Sequence, residues 1–340
     1  MSFLVSILVF SIVIVIHELG HFVVAKKSGI KVNEFSIGMG PRLAGVKKGE
    51  TEYSIRALPI GGYVAMEGED EESDSEDSFS RAPVANRIAV VVAGAVMNLI
   101  LGFAILVFMV SRQDAITSRT VSVFYENAMT QQTGLQVDDE IIAVNGRRCY
   151  IANDIIYEFA RTQDGVVDLT VRRDGKITEL EDVTFETYKD EDGMQQLVLD
   201  FYVYPAQKTV VSVVKEAVNW TVSYARMIFL SLIDMVTGRV AINQLSGPVG
   251  IVSVISEATS VGLEPVLNIL ALITINLGVF NLVPFPALDG GRLVFLLIEL
   301  LRGKPINPKY EIWVNTAGMI VLLAFMAFVT FSDITKLIGF

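Results

Sequence analysis

Cysteine is almost absent from this chain: Cys149 stands alone among 340 residues. A lone thiol cannot form an internal disulfide, so no covalent staple holds the fold and stability rests on packing and lipid. Histidine is nearly as scarce, with only His17 and His21. Charge is thin: 19% of residues are charged against 52% hydrophobic, and the mean hydropathy is +0.50. That balance argues against an ordinary soluble globule and for a membrane protein. Positive charge is not in excess either. The net charge is −11, and eight of the acids fall in the eleven residues from Glu67 to Asp77, which argues against nucleic acid as a partner. The acidic run reads as a solvated linker without chemistry of its own.

What the chain does have is apolar length. Phe3 to Ala25, Ile88 to Val110, Val266 to about Leu301 with an interruption, and Ile312 to Phe331 are each apolar enough to cross a bilayer. The first run lacks a basic n-region and a small-residue cleavage site, so it reads as a retained span and not as a signal peptide. The loop between the first two runs carries nine Lys and Arg residues from Lys26 to Arg87, and the loop between the last two carries Arg302, Lys304 and Lys309. Short basic loops stay in the cytosol, which predicts a multi-pass membrane protein with both termini outside.

Within the first run lies IVIVI-HELGH-FVV, Ile12 to Val24. On a helix His17 and His21 are four residues apart and share a face, so two imidazoles can converge on one Zn2+ ion. Glu18 lies beside them as the base of the H-E-x-x-H pattern. Counted from Phe3 at the helical rise, His17 lies roughly 20 Å and His21 roughly 27 Å into a core about 30 Å thick, towards the cytosolic side.

A third ligand is sought where the third run breaks, at Asn281-Leu-Val-Pro-Phe-Pro-Ala-Leu-Asp-Gly-Gly-Arg292. Pro284 and Pro286 forbid a continuous helix, and Gly290 and Gly291 are read as loosening the residues after them, so the backbone unwinds at depth. Asp289 lies in this break, on a segment that also runs from outside to inside. With two imidazoles it completes the protein side of a catalytic zinc site, the fourth position being left to water or substrate. The competing reading is an ordinary cap on a helix beginning near Arg292.

The remainder divides by character. From Phe35 to Met66 paired glycines favour turns and short strands. The second span contains Gly94, Ala95, Asn98 and Gly102, which permit close helix approach. Asn98 reads as a bond to a neighbouring helix. Ala115 to Tyr204 is polar, with TGLQVDDEIIAVNGRRC, a helix-like stretch at Asn153 to Thr162, and VVDLTVRRDGKITEL. This resembles the core of a PDZ domain, which would suit strand addition of a peptide; a scaffolding role stays open beside peptide binding. Thr209 to Met235 carries Lys215, Glu216 and Arg226 and reads as an amphipathic helix in the outer interface, touching lipid. NQLSGPVGI, Asn243 to Ile251, reads as a turn.

HELGH, NLVPFPALDGG, SGPVGI and a single PDZ-like insert together resemble the bacterial site-2 proteases, the group containing the regulator-of-sigma-E protease. The resemblance implies an intramembrane zinc metalloprotease, a zinc metalloendopeptidase that cuts single-span membrane proteins such as anti-sigma factors or signal-peptide remnants. It also implies that Asn281, Pro284 and Pro286 hold substrate, and that part of 35–66 is a re-entrant hairpin. The predicted fold is therefore an α-helical membrane protein with four transmembrane helices, the third broken. It adds a cytosolic-side re-entrant β-hairpin region and an inserted extracytosolic α+β PDZ-like domain. The predicted extents are 1–114 for the N-terminal membrane core, 115–205 for the PDZ-like domain, 206–262 for a surface helix and turn, and 263–340 for the C-terminal membrane core. The alternatives are a non-catalytic adaptor that binds single-span proteins through its insert, and a metal transporter. A structural zinc site would want a fourth protein ligand, and a transporter would want repeat symmetry; neither is seen in the sequence.

Overall fold

The computed structural model describes residues 2–69, 73–162, 164–189, 195–237 and 246–338. In chain order the elements are α1 (Ser2–Lys27), β1 (Val32–Lys48), β2 (Thr51–Met66), α2 (Val84–Arg112), β3 (Ile116–Phe124), α3 (Met129–Gln132), β4 (Glu140–Val144), β5 (Arg147–Arg148), α4 (Ala152–Ala160), β6 (Val166–Arg173) and β7 (Lys176–Thr184). They continue with β8 (Thr187–Lys189), β9 (Gln195–Leu197), β10 (Phe201–Ala206), α5 (Val210–Val236), α6 (Pro248–Val261), α7 (Leu263–Asn281), α8 (Asp289–Arg302) and α9 (Pro308–Ile338). Two compact units result, one of residues Met1–Ile105 with Met227–Phe340 and one of Leu106–Arg226.

In the first unit, α1, α2, α7 and α9 are long and apolar enough to cross a membrane. α1 ends where Gly29, at φ 75°, turns the chain out of the helix. α1 and α2 approach to backbone contact: a Cβ on Gly20 would collide with the carbonyl of Ala93. Small residues of α2 serve α7 as well, since Gly102 lies against Ile275, and Gly278 lies against the carbonyl of Ala95. α9 leaves Trp313, Ile320, Val321 and Phe328 exposed, a surface suited to lipid.

The stretch between α1 and α2 forms two long strands, not short ones. β1 and β2 each bend at mid-length, because 32–37 pairs both with 62–66 and with 52–55, while 44–48 pairs with 51–55. Two strands thus make four rungs in the order 62–66, 32–37, 51–55, 44–48, the two outer pairings antiparallel and the central one, 32–37 with 51–55, in parallel register. Glu34 ties three of them, accepting from Ser54, from Arg56 at 2.8 and 3.0 Å, and from the Tyr63 hydroxyl at 2.6 Å. Ser11 of α1 donates to the carbonyl of Pro59 at 2.8 Å, pinning the bend of β2 against the helix.

Two expectations are corrected by the structure. The SGPVG stretch is not a turn: Asn243 to Leu245 lie outside the described residues, but Pro248 opens a 14-residue helix, α6. Proline lacks an amide that the first turn does not need, so it starts a helix where it would break one further in. The amides of Gly247 and Gly250 donate to Asp333 of α9 at 3.1 and 2.8 Å, which caps that start. Likewise Gly290 and Gly291 do not loosen the backbone; they lie in the first turn of α8, and the unwound part is 282–288. A Cβ at Gly290 would strike the carbonyl of Val283, and one at Gly291 the carbonyl of Phe285, so glycine lets the turn fold back onto the helix it leads into.

In the second unit an antiparallel sheet of order β10-β3-β4-β6-β7, with β5 paired to β4, packs against α4. Its core includes Val121, Leu135, Ile141, Val144, Ile155, Phe159, Leu169 and Phe185. Asn145 and Gly146 take φ of 48° and 72°, and Asp174 and Gly175 take 50° and 77°, the left-handed pairs that close tight hairpins. Cys149 is fully buried in this core, and burial pushes its thiol up to about 12, a packing residue without reactivity.

Candidate metal centre

α1 carries His17 and His21 on one face, at 7% and 9% exposure. Their rings meet edge to face, with centroids 4.8 Å apart, and their Nε2 atoms are 3.2 Å apart. The turn at 282–288 then delivers Asp289 of α8 to the same point: Oδ2 lies 3.2 Å from His17 Nε2 and 3.4 Å from His21 Nε2. The N-cap of α8 is Leu288 and Asp289 is the first residue inside the helix, so the ordinary N-cap use of aspartate does not account for its position.

These three atoms fit a zinc ion. A tetrahedral centre with bonds of about 2.0–2.1 Å has corner-to-corner edges of about 3.3–3.4 Å, close to the three distances found. Asp289 Oδ2 is buried and has no hydrogen-bond donor of its own, a cost that a cation would remove. His17, His21 and Asp289 form a group that could hold one ion among the described residues.

The other nitrogen of each ring is occupied. His21 Nδ1 is 2.8 Å from the carbonyl of Val90, which can only accept, so the proton sits on Nδ1 and Nε2 presents a lone pair. His17 Nδ1 is 3.3 Å from the side-chain amide of Asn98. Gly94, between Val90 and Asn98 on α2, makes room for both rings, since a Cβ there would collide with His21 Nε2. Asn98, read in the sequence as bonding a neighbouring helix, does so to α1 through its side-chain amide, and its backbone carbonyl accepts from Thr274 of α7 at 3.2 Å. That its partner on α1 is the His17 ring was not foreseen. The 90, 94, 98 spacing on one helical face is the signal that could have found it.

Glu18 opens onto a cavity of about 190 Å³ that both histidines, Asp289, Tyr63, Val64 and Arg292 also line. Gly62 of the edge rung lies against the Glu18 side chain. Asn281 closes α7 with its amide nitrogen 3.3 Å from His17 Nε2. Pro284 is exposed and Pro286 half-buried, the latter packed on Gly318 of α9. Ala287 holds a φ of 74°, with its amide donating to Asn315 of α9 at 3.3 Å, so α9 supports the strained turn that aims Asp289.

The sequence model of peptidase family M50 matches residues 5–325. A Clostridium acetobutylicum protein that bears a zinc metalloprotease name is 37% identical over 339 residues, covering 100% of this chain and 99% of its own. The regulator of sigma-W protease RasP of Bacillus subtilis is 31% identical over 414 residues, covering 97% of each chain. The zinc metalloprotease RasP of Bacillus licheniformis is 31% identical over 415 residues, covering 97% of this chain and 98% of its own.

Proposed function

The chain belongs to peptidase family M50, and on that premise we propose that this zinc metalloendopeptidase of the membrane cuts single-span proteins within or beside their transmembrane segments. The reading rests on one observation: His17, His21 and Asp289 converge at 3.2–3.4 Å, beside Glu18, within apolar helices. Those three side chains would hold the zinc. When bound, zinc supplies Lewis acidity, polarising the scissile carbonyl and making water a nucleophile at neutral pH.

The chain's own groups do the rest. Glu18 takes the proton of the attacking water and returns it to the leaving amine. The amide of Asn281, beside His17, together with Pro284 and Pro286, holds the substrate backbone. A transmembrane substrate arrives as a helix whose carbonyls are already bonded, and it must open before it can be cut. Rung 62–66 runs along the cavity through Tyr63 and Val64, and no strand outside the hairpin pairs with it among the described residues. A substrate strand added there exchanges its helical hydrogen bonds for intermolecular ones.

Substrates are of the anti-sigma-factor or signal-peptide-remnant type, in keeping with the sigma-W name of the Bacillus subtilis relative. The protein sits in the bacterial cell membrane with its basic loops in the cytosol, both termini outside and the metal towards the cytosolic side. Residues 115–205 are a PDZ-like insert flanked by membrane cores at 1–114 and 263–340, with α5 of 206–262 lying in the outer interface. The test is incubation of purified protein in detergent with a single-span substrate, with and without a zinc chelator, followed by mass mapping. Cuts within or next to the apolar segment, abolished by chelation and restored by zinc, are the expected result. Cuts confined to the soluble tails, or insensitive to chelation, would refute it.

A further inference from the structure

We propose that Asn98 is a positioning residue for zinc: its side-chain oxygen accepts the Nδ1 proton of His17 and so leaves Nε2 of that ring free to bind the metal. The inference rests on the zinc protease reading and adds a residue outside its motifs. Asn98 is fully buried. Its amide nitrogen stands 3.3 Å from His17 Nδ1, while its Oδ1 is buried without any partner. With the nitrogen facing the ring, Nδ1 would have to accept, the proton would move to Nε2, and the ring could not ligate. A half-turn of the carboxamide, which changes no heavy-atom position appreciably, puts the oxygen opposite Nδ1 and restores the ligating tautomer. The orphaned oxygen gains a donor, and the lone pair of His17 Nε2 faces His21 and Asp289.

The same helix face already serves the other ring in this way, through the carbonyl of Val90. Val90, Gly94 and Asn98 recur every four residues along α2, opposite His21 and His17 four residues apart on α1. One face of α2 thus fixes both tautomers, with a carbonyl at one end, an amide at the other and a gap between them for the rings. Partners of this kind are worth about 10- to 100-fold in metal affinity.

The chain has two histidines, so 15N-histidine labelling reports each ring separately. In full-length zinc-loaded protein, His17 is expected to carry its proton on Nδ1 and the metal on Nε2; metal on Nδ1 would overturn the proposal. Zinc affinity, by competition with a chromogenic chelator, is expected to fall about 10- to 100-fold in Asn98→Leu and to stay within a few fold of the parent in Asn98→Asp, which keeps an acceptor. Thr274→Val, which removes the bond to the Asn98 backbone, reports helix packing alone and should leave affinity unchanged. Equal losses in Leu and Asp variants, or no loss in either, would make Asn98 a packing residue. A parent protein that binds no stoichiometric zinc would instead bring down the metal reading, and this one with it.

Discussion

Glu18 is the residue directly after His17, so on α1 its side chain is turned about 100° from that histidine. It faces the cavity that the imidazoles share without joining them as a ligand. In the proposed mechanism that offset separates holding the metal from moving the proton. Glu18→Gln keeps the size and the hydrogen bonding but removes the base. Peptide cleavage should therefore fall by at least about a hundredfold, while metal analysis of the purified variant still finds one zinc per chain. Loss of zinc in that variant would make Glu18 a ligand. At this scale the sequence was informative: two histidines in the whole chain, four apart in an apolar run, leave few other uses. Asn98 was less legible, because an amide among small residues on a span reads equally as a helix contact, and only the neighbouring ring says otherwise.

α8 has to be held at a fixed height for Asp289 to reach the two imidazoles. Part of that hold comes from Arg87 near the start of α2, which pairs with Glu299 of α8 through two bonds of 3.0 and 2.6 Å. Both side chains are 12% exposed, so each charge depends on the other. Glu299→Leu strands a guanidinium and should cost about 3–5 kcal/mol. Arg87→Met together with Glu299→Leu should recover most of that loss, a sign that thermal unfolding in detergent can check. Equal losses in single and double variants would mean that the helices meet by packing alone. Elements of this kind were visible by type but not by extent. Paired glycines announced strands between Phe35 and Met66, yet the double pairing that makes four rungs from two strands depends on contacts across the bend. The helix start at Pro248 and the return of 282–288 onto Gly290 and Gly291 were not legible, because proline and glycine mark both breaks and close approaches. Only the neighbour tells which.

Across the whole molecule, the proposed metal centre joins α1 to the start of α8, more than 250 residues later, so on that proposal ligand binding and folding of the membrane unit are linked. Zinc at a hundredfold excess over its Kd should stabilise the fold by about 2.7 kcal/mol, and chelation should lower the unfolding midpoint accordingly. Asp289→Asn should erase that zinc-dependent difference. A midpoint indifferent to zinc in the parent protein would show that the three residues do not bind it. What the amino-acid order determined unaided was class and chemistry: apolar length makes spans, helical spacing puts His17 and His21 on one face, and Pro284 with Pro286 must interrupt a helix whatever surrounds it. These arise from backbone geometry and solvent, which act locally. What only the tertiary structure decided was convergence: the meeting of Asp289 with the histidines, of Asn98 with His17, and of rung 62–66 with Glu18. Each depends on how closely two helices approach, which is set by side chains far apart in the sequence fitting into one another's gaps.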